Sequence, residues 1–284
     1  MADLSALRGN VMEKYKIITP TENEMKKAHE SYILHQKNNK NNFSYWFWKI
    51  QSVKICGIGL PHSVTIPVGE RLLNAFFHEH EGDDEIIRSW VEKTLQPSLK
   101  NVDLPTFMKN GCFSNKFEFE NSCLIRSIDT DTLVSHLNNI QYTSLCFDTM
   151  GNMEIVLREW IKPEEGTECI YGGMPLRPEM RVFYDFTHHK YLYDVNYWDW
   201  EYCHDAICRN KADGEVYERQ YPDLVKKLEY RREKFIRDIK DALAGIEEID
   251  GLWSVDFMLH EDKAWLIDMA VAQMSAYWDP SKIK

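Results

Sequence analysis

Two carboxylates stand inside apolar runs near the end of the chain. Asp256 lies in Trp253-Ser254-Val255-Asp256-Phe257-Met258-Leu259 and Asp268 in Ala264-Trp265-Leu266-Ile267-Asp268-Met269. Both runs read as short strands, in which Asp is out of place by propensity. The polar turn His260-Glu261-Asp262-Lys263 would join them as a hairpin, so the two side chains can point at one spot. Buried carboxylates need a cation, and converging oxygen ligands suit Mg²⁺ with its waters and a substrate phosphate. The plainer reading is that the two Asp sit at strand ends and cap the turn.

Cations appear earlier. Lys109 and Lys116 flank the polar loop Asn110-Gly111-Cys112-Phe113-Ser114-Asn115. Both can reach phosphate oxygens as point charges, although most lysines are simply solvated. Arg181 sits mid-strand in Met180-Arg181-Val182-Phe183 and wants an anion, either a structural carboxylate or a substrate phosphate. Val156-Leu157-Arg158-Glu159-Trp160-Ile161 is an apolar strand that can offer backbone N–H and C=O to a planar base, or be an ordinary strand. No Ser/His/Asp or Cys/His constellation stands out. Cys203-His204 and Cys208 lack a second ligand pair for zinc, and His78-Glu79-His80 reads as a solvated helix end.

The elements that must position these groups follow from pattern. Residues 1–50 look helical and polar, with a bend at Lys37-Asn38-Asn39-Lys40-Asn41-Asn42. Phe43-Ser44-Tyr45-Trp46-Phe47-Trp48 is too aromatic to stay exposed and reads as core, with a stacking platform as the lesser reading. Val64-Thr65-Ile66-Pro67-Val68 has a strand's composition, and residues 83–93 have helical spacing after an acidic start. Pro97 and Pro105 bracket a linker. Thr106-Phe107-Met108-Lys109 reads as a strand, Lys116-Phe117-Glu118-Phe119 resumes an extended pattern, and residues 130–139 form a helix capped near Asp129 or Asp131. Residues 154–161 make a strand ending at Pro163. Residues 180–186 and 190–195 make a hairpin over His188-His189, and residues 221–246 a long amphipathic helix. Hairpins with intervening helices give an α+β class.

Composition bounds the rest. The chain has 284 residues, 44% hydrophobic and 28% charged, enough for one large domain or two small ones. A net charge of -11 is not that of a phosphate-backbone binder. No run approaches a membrane span, which takes about 18 apolar residues. Met1-Ala2-Asp3-Leu4-Ser5 lacks the order of a signal peptide. Seven cysteines at irregular spacing point to a reducing compartment, hence a cytoplasmic location.

Taken in order, these parts resemble the ATP-grasp superfamily over residues 105–275. Within it they are most similar to the branch of the eukaryotic translation initiation factor assembly protein of the cell division cycle type, with its phage and bacterial relatives. Pro178-Glu179-Met180-Arg181-Val182-Phe183 looks like that branch's Glu-Phe-Arg-Cys-Phe segment, Leu157-Arg158-Glu159-Trp160-Ile161 like its Leu-Arg-Lys-Trp-Val hinge, and Ala264-Trp265-Leu266-Ile267-Asp268 like its Trp-Leu-Ile-Asp segment. The resemblance implies two α+β subdomains clamping ATP: a Lys-bearing one over residues 105–162 and a C-terminal one over 163–284. Residues 1–104 would form an N-terminal region for acceptor or partner recognition.

The resemblance also assigns roles. Lys109 would bind the α-phosphate side of ATP and Lys116 would reach the phosphates from the loop. The hinge from Arg158 to Ile161, including Trp160, would line the nucleotide, with the backbone of Glu159 and Ile161 on adenine. Glu165 would take the ribose, Arg181 the γ-phosphate or acyl phosphate, and Asp256 and Asp268 Mg²⁺. The implied activity is ligation of a carboxylate, free or in a peptide, to an amine through an acyl phosphate. An ATP-binding assembly factor with a protein client, served by the acidic surface and the Tyr45–Trp48 segment, is the second reading. A nucleic-acid or nucleotide-modifying ligase, which would use a Lys-x-Asp-Gly nucleophile motif, ranks last. One departure matters: the family's Asp-x-Asn is here Asp268-Met269-Ala270, so a metal ligand is missing unless Gln273 substitutes.

Overall fold

The structure is a computed structural model that describes residues 21–51, 57–77, 80–147 and 152–283. Residues 1–5 and the His78-Glu79 pair therefore lie outside the described residues. The chain divides into two compact units, Met1–Asn38 and Asn39–Lys284. In the first, the helix Glu22–Lys37 starts on a capping box. Thr21 Oγ1 accepts from the Glu24 N–H at 3.3 Å, and the Glu24 carboxylate accepts from the Thr21 N–H at 2.8 Å.

Two sheets carry the second unit. The larger has five strands: β1 (Ile58–Gly59), β8 (Glu179–Asp185), β9 (Lys190–Asn196), β10 (Leu252–Leu259) and β11 (Ala264–Val271). Their order is β1-β11-β10-β8-β9, antiparallel except for β1 with β11. The smaller holds β2 (Ser63–Pro67), β3 (Thr106–Asn110), β4 (Leu124–Ile125) and β5 (Glu154–Glu159) in the order β2-β5-β3-β4. A two-stranded ribbon, β6 (Cys169–Ile170) with β7 (Met174–Pro175), completes the set.

Alternation along the larger sheet sorts its residues. Met180, Val182, Tyr184, Trp253, Val255, Phe257 and Leu266 join one buried cluster with Phe43, Trp46, Phe47 and Ile50 and with Leu228, Phe235 and Ile239 of the long helix. Successive side chains of a strand point to opposite faces, so Arg181 and Asp256 are left on the other face. Burying each Phe, Leu or Ile stabilises by about 1.5–3 kcal/mol, and this layer holds the strands in register.

Several elements differ from the sequence expectation. Lys116-Phe117-Glu118 is not extended: it is a 3₁₀ turn, Lys116–Glu118, running into the helix Phe119–Ser122. Asn110 Oδ1 accepts from the N–H groups of Cys112 and Phe113 at 3.0 and 2.6 Å, which folds the loop back. The N–H groups of Phe119 and Glu120 donate to the carbonyls of Tyr171 and Gly172 at 3.0 and 3.1 Å, satisfying the start of that helix from a distant loop. The long helix runs Lys211–Ala244 rather than from residue 221, straight through Pro222. Asn210 Oδ1 caps it by accepting from Ala212 and Asp213, and buried Tyr217, Leu224 and Leu228 hold the segment around the proline. The helix at residue 130 extends to Cys146, and Pro97 falls in the first turn of the helix Gln96–Leu99, so the linker before β3 is shorter than expected. The Tyr45–Trp48 segment belongs to the helix Phe43–Gln51. Trp46 and Phe47 are buried, which removes them from any interface and leaves Trp48 as its outward aromatic.

Residues 58–67, inside the stretch expected to be a separate recognition region, supply an edge strand to each sheet, with only Leu60-Pro61-His62 between β1 and β2. No helix among the described residues is long and apolar enough to cross a membrane.

Candidate functional site

The register brings three of the expected site residues into one row. Asp256 of β10 lies directly opposite Arg181 of β8 on one side and Asp268 of β11 on the other. Directly paired residues share a face of a sheet. In the smaller sheet, Arg158 lies opposite Phe107, and Lys109 follows two residues later on the same face. The two faces meet. Lys109 Nζ donates to Asp268 Oδ2 at 2.7 Å, and the Arg158 guanidinium donates to the carbonyl of Ile267.

Acids and bases of the site are paired with one another. Arg181 donates from Nε and Nη2 to the two Asp256 oxygens at 2.7 and 2.8 Å, a bidentate pair, and its Nη1 donates to the Ala276 carbonyl at 3.2 Å. Of the two anions considered for Arg181, the structure supplies the carboxylate. Lys109 is 1% exposed, whereas the Asp268 side chain keeps 36% exposure. Burial pushes the Asp268 carboxyl up, but Lys109, Arg158 and Lys116 together outweigh it and hold the group below the usual carboxylate range. Burial would also lower Arg181 and Lys116, yet Asp256 raises the first and Tyr197 with Glu179 the second. Lys116 Nζ donates to Tyr197 Oη at 3.0 Å, and the Tyr197 ring lies under both cations, 4.5 Å from Lys116 Nζ and 4.9 Å from Arg181 Cζ.

A cleft adjoins these pairs. It is lined by Lys116, Arg158, Glu159, Trp160 and Ile161 of the expected nucleotide residues, together with Phe107, Phe119, Met174, Pro175, Arg177, Glu179, Met258 and Ile267. Its walls are largely aromatic, aliphatic and thioether surface, with three cations and two carboxylates, Glu159 and Glu179, set into them. Such a surface takes a planar base with a charged tail. The Glu159 N–H donates to the His62 carbonyl at 2.7 Å, so it is not available to a base. Glu165 is exposed and does not line the cleft. The half-buried acid of that loop is its neighbour Glu164, held by Arg231 at 2.7 Å.

Glu179 and Arg177 carry no role in the sequence reading. Glu179 is 4% exposed, its Oε2 has no hydrogen-bond partner, and burial lifts its carboxyl above the usual range despite Lys116 and Arg177. Arg177, pushed down to about 10 by burial, stacks 4.6 Å over Trp160. The signal for both was their adjacency to Arg181 in Arg177-Pro178-Glu179-Met180-Arg181. Gln273 is exposed on the short turn Ala272–Met274. Ala270, where the resemblance leads one to expect Asn, pairs with Ser254, whose hydroxyl meets that of Ser275 at 2.5 Å.

The residues fit a magnesium nucleotide. Asp256, Asp268 and Glu179 offer the oxygen donors that Mg²⁺ takes, and Lys109, Lys116, Arg158, Arg177 and Arg181 outnumber them, so the cluster as a whole favours a polyanion. The nucleotidyl ligase ranks last on the expectation that its Lys-x-Asp-Gly motif is absent, whereas Lys211-Ala212-Asp213-Gly214 spells it; even so, Lys211 is 92% exposed in the first turn of the long helix and 3.8 Å from Glu215. It is no pocket nucleophile.

No family model matches the chain, and neither does any curated protein. Solved structures with a similar chain path include Cdc123 from Schizosaccharomyces pombe, at 16% identity over 94% of each chain with a TM-score of 0.49. D-alanine–D-alanine ligase from Bacillus anthracis complexed with ATP matches at 10% identity over 83% of this chain and 55% of that one, with a TM-score of 0.38. A RimK domain protein ATP-grasp from Sphaerobacter thermophilus matches at 8% identity over 84% and 59%, with a TM-score of 0.34.

Proposed function

We propose that this chain binds Mg²⁺ and ATP between its two sheets and uses them to join a carboxylate to an amine. The observation that carries this reading is the pair of ion pairs, Lys109–Asp268 and Arg181–Asp256, beside a cleft with aromatic walls. Each pair holds one group suited to a cation and one suited to a phosphate. A ligand bearing both signs can therefore be exchanged in without stranding a buried charge, which is the usual cost of opening such a pair.

On this reading Asp256 and Asp268 would hold the metal, and Lys109 and Arg181, now their partners, would hold phosphate oxygens. Glu179 would add a third carboxylate in compensation for the missing Asn. Bound Mg²⁺ would supply charge neutralisation on the phosphates. Trp160, Phe107 and Met258 would flank adenine, with the Glu159 carbonyl and Ile161 N–H at its edge. Lys116 and Arg181, held over the Tyr197 ring, would neutralise charge as an oxygen of the carboxylate substrate attacks the γ-phosphorus and the bond to ADP breaks. The amine then attacks the acyl carbon and phosphate leaves. The protein's part is positioning and electrostatics, and no side-chain nucleophile is needed.

Turnover with a labelled acid tests this. Carboxylate oxygen should appear in the released phosphate, with ADP as the nucleotide product. AMP, or unlabelled phosphate, rules the mechanism out. The second reading, an ATP-binding factor acting on a protein client, is favoured by Asp268-Met269-Ala270, because a site short of a metal ligand can hold ATP and turn it over slowly. ATP that tightens binding to one protein, with no acceptor-dependent ADP, would select it.

A further inference from the structure

Outside the cleft, a second set of ligating side chains converges. The helix Trp200–Ile207 carries His204 and ends at Cys208, four residues on and thus on the same face. The chain then turns through Asn210 into the long helix, which returns Glu218 to that face. The turn closes tightly because residue 214 is Gly: a Cβ there would stand 3.0 Å from both Cα and Sγ of Cys208. His204 Nε2 is 3.0 Å from Glu218 Oε1, Cys208 Sγ is 3.9 Å from the same oxygen, and the three donor atoms lie within 4.8 Å of one another.

We infer that His204, Cys208 and Glu218 form a divalent-metal site of zinc type, independent of the nucleotide cleft. An imidazole nitrogen, a thiolate and a carboxylate make a borderline-soft donor set with two negative charges, which suits Zn²⁺ and leaves a fourth position for water. Bonds of about 2.0–2.3 Å in a tetrahedron place donors roughly 3.5 Å apart, so the present spacing needs only small movements. The other ring nitrogen is also provided for. His204 Nδ1 lies 3.2 Å from Asp205 Oδ1, which would accept a hydrogen bond from Nδ1–H and so leave Nε2 free to ligate. Trp200 stacks on the imidazole at 4.2 Å and holds its plane. From the sequence alone Cys203-His204 and Cys208 lacked a partner; the fold supplies it from ten residues beyond Cys208. A metal here would staple the Trp200–Ile207 helix to the Lys211–Ala244 helix. The first of these also carries Cys203, whose thiol meets the Tyr197 carbonyl at 3.7 Å, so the staple would brace the residue beneath Lys116 and Arg181.

One equivalent of Co(II) added to the reduced full chain tests the assignment without reference to catalysis. A thiolate-to-cobalt charge-transfer band should appear, be displaced by Zn(II), be lost in Cys208→Ser and persist in Cys169→Ser, whose thiol is exposed elsewhere. Zn(II) should also raise the melting temperature, reversibly with chelator. Asp205→Asn, at a fully exposed side chain that folding does not need, should weaken Zn(II) binding roughly 10–100-fold. No band in the wild-type chain, a band that survives Cys208→Ser, or an Asp205→Asn affinity equal to wild type overturns it.

Discussion

Lys109 is 1% exposed, and the carboxylate that holds its ammonium lies 159 residues further along the chain. Removing it leaves Asp268 without its main cation, so Lys109→Met should lose stability as well as affinity. In the folded fraction, Lys109→Met and Arg181→Ala should each weaken ATP binding by about 1.5–3 kcal/mol while adenosine binding stays unchanged. Calorimetry with both ligands checks this, and equal losses for adenosine would make the pairs purely structural. Asp268→Asn should weaken Mg²⁺-dependent binding more than Glu261→Gln, whose side chain lies in the exposed turn. Glu179 makes the opposite demand on stability. Burial raises its folded pKa above the unfolded value, so the folded chain holds that proton more tightly. Its contribution to stability is therefore present below the ordinary carboxylate range and lost as pH rises through the raised value. Glu179→Gln should raise the melting temperature at neutral pH while weakening Mg²⁺–ATP binding. A variant that melts lower at pH 7 and higher at pH 4 contradicts the sign.

The strands of the site were legible as apolar runs broken by single charged residues: Met180, Val182 and Tyr184 join the main core while Arg181 does not, and Val255 and Phe257 do while Asp256 does not. What could not be read is who pairs with whom. Nothing local to Arg181 names Asp256 as its partner, and Glu179 looks like an ordinary strand-end acid until its burial is seen. Alternation also misled. Phe117 and Phe119 read as a strand, yet the loop carbonyls of Tyr171 and Gly172 start a helix there. The helix expected from residue 221 begins ten residues earlier, at Lys211, where Asn210 caps it. The cap can be weighed directly. Asn210→Ala should cost about 1 kcal/mol and lower the melting temperature with ATP affinity per folded molecule retained. No loss of stability would mean that packing alone starts the helix.

Across the whole molecule, a chain of net charge -11 gathers five cations around one cleft. On the proposed function, the acidic remainder would discourage nonspecific contact with polyanions and leave the cleft as the place for a phosphate chain. Two sheets meet there, and their shortest connection is the segment Leu60-Pro61-His62 between β1 and β2. His62 is further tied to Glu159 by a hydrogen bond in each direction, at 2.7 and 3.0 Å. From Gly59 to Ser63 an extended chain spans no more than roughly 14 Å, and Pro61 stiffens it. These three residues would act as a tether: should the sheets open on binding, their edges at this end would stay leashed and the mouth would widen at the far side. Four glycines inserted after Leu60 should slacken the leash, speeding ATP release in stopped-flow measurements several-fold more than they change the melting temperature. Unaltered release rates would show that the sheets do not swing about this end.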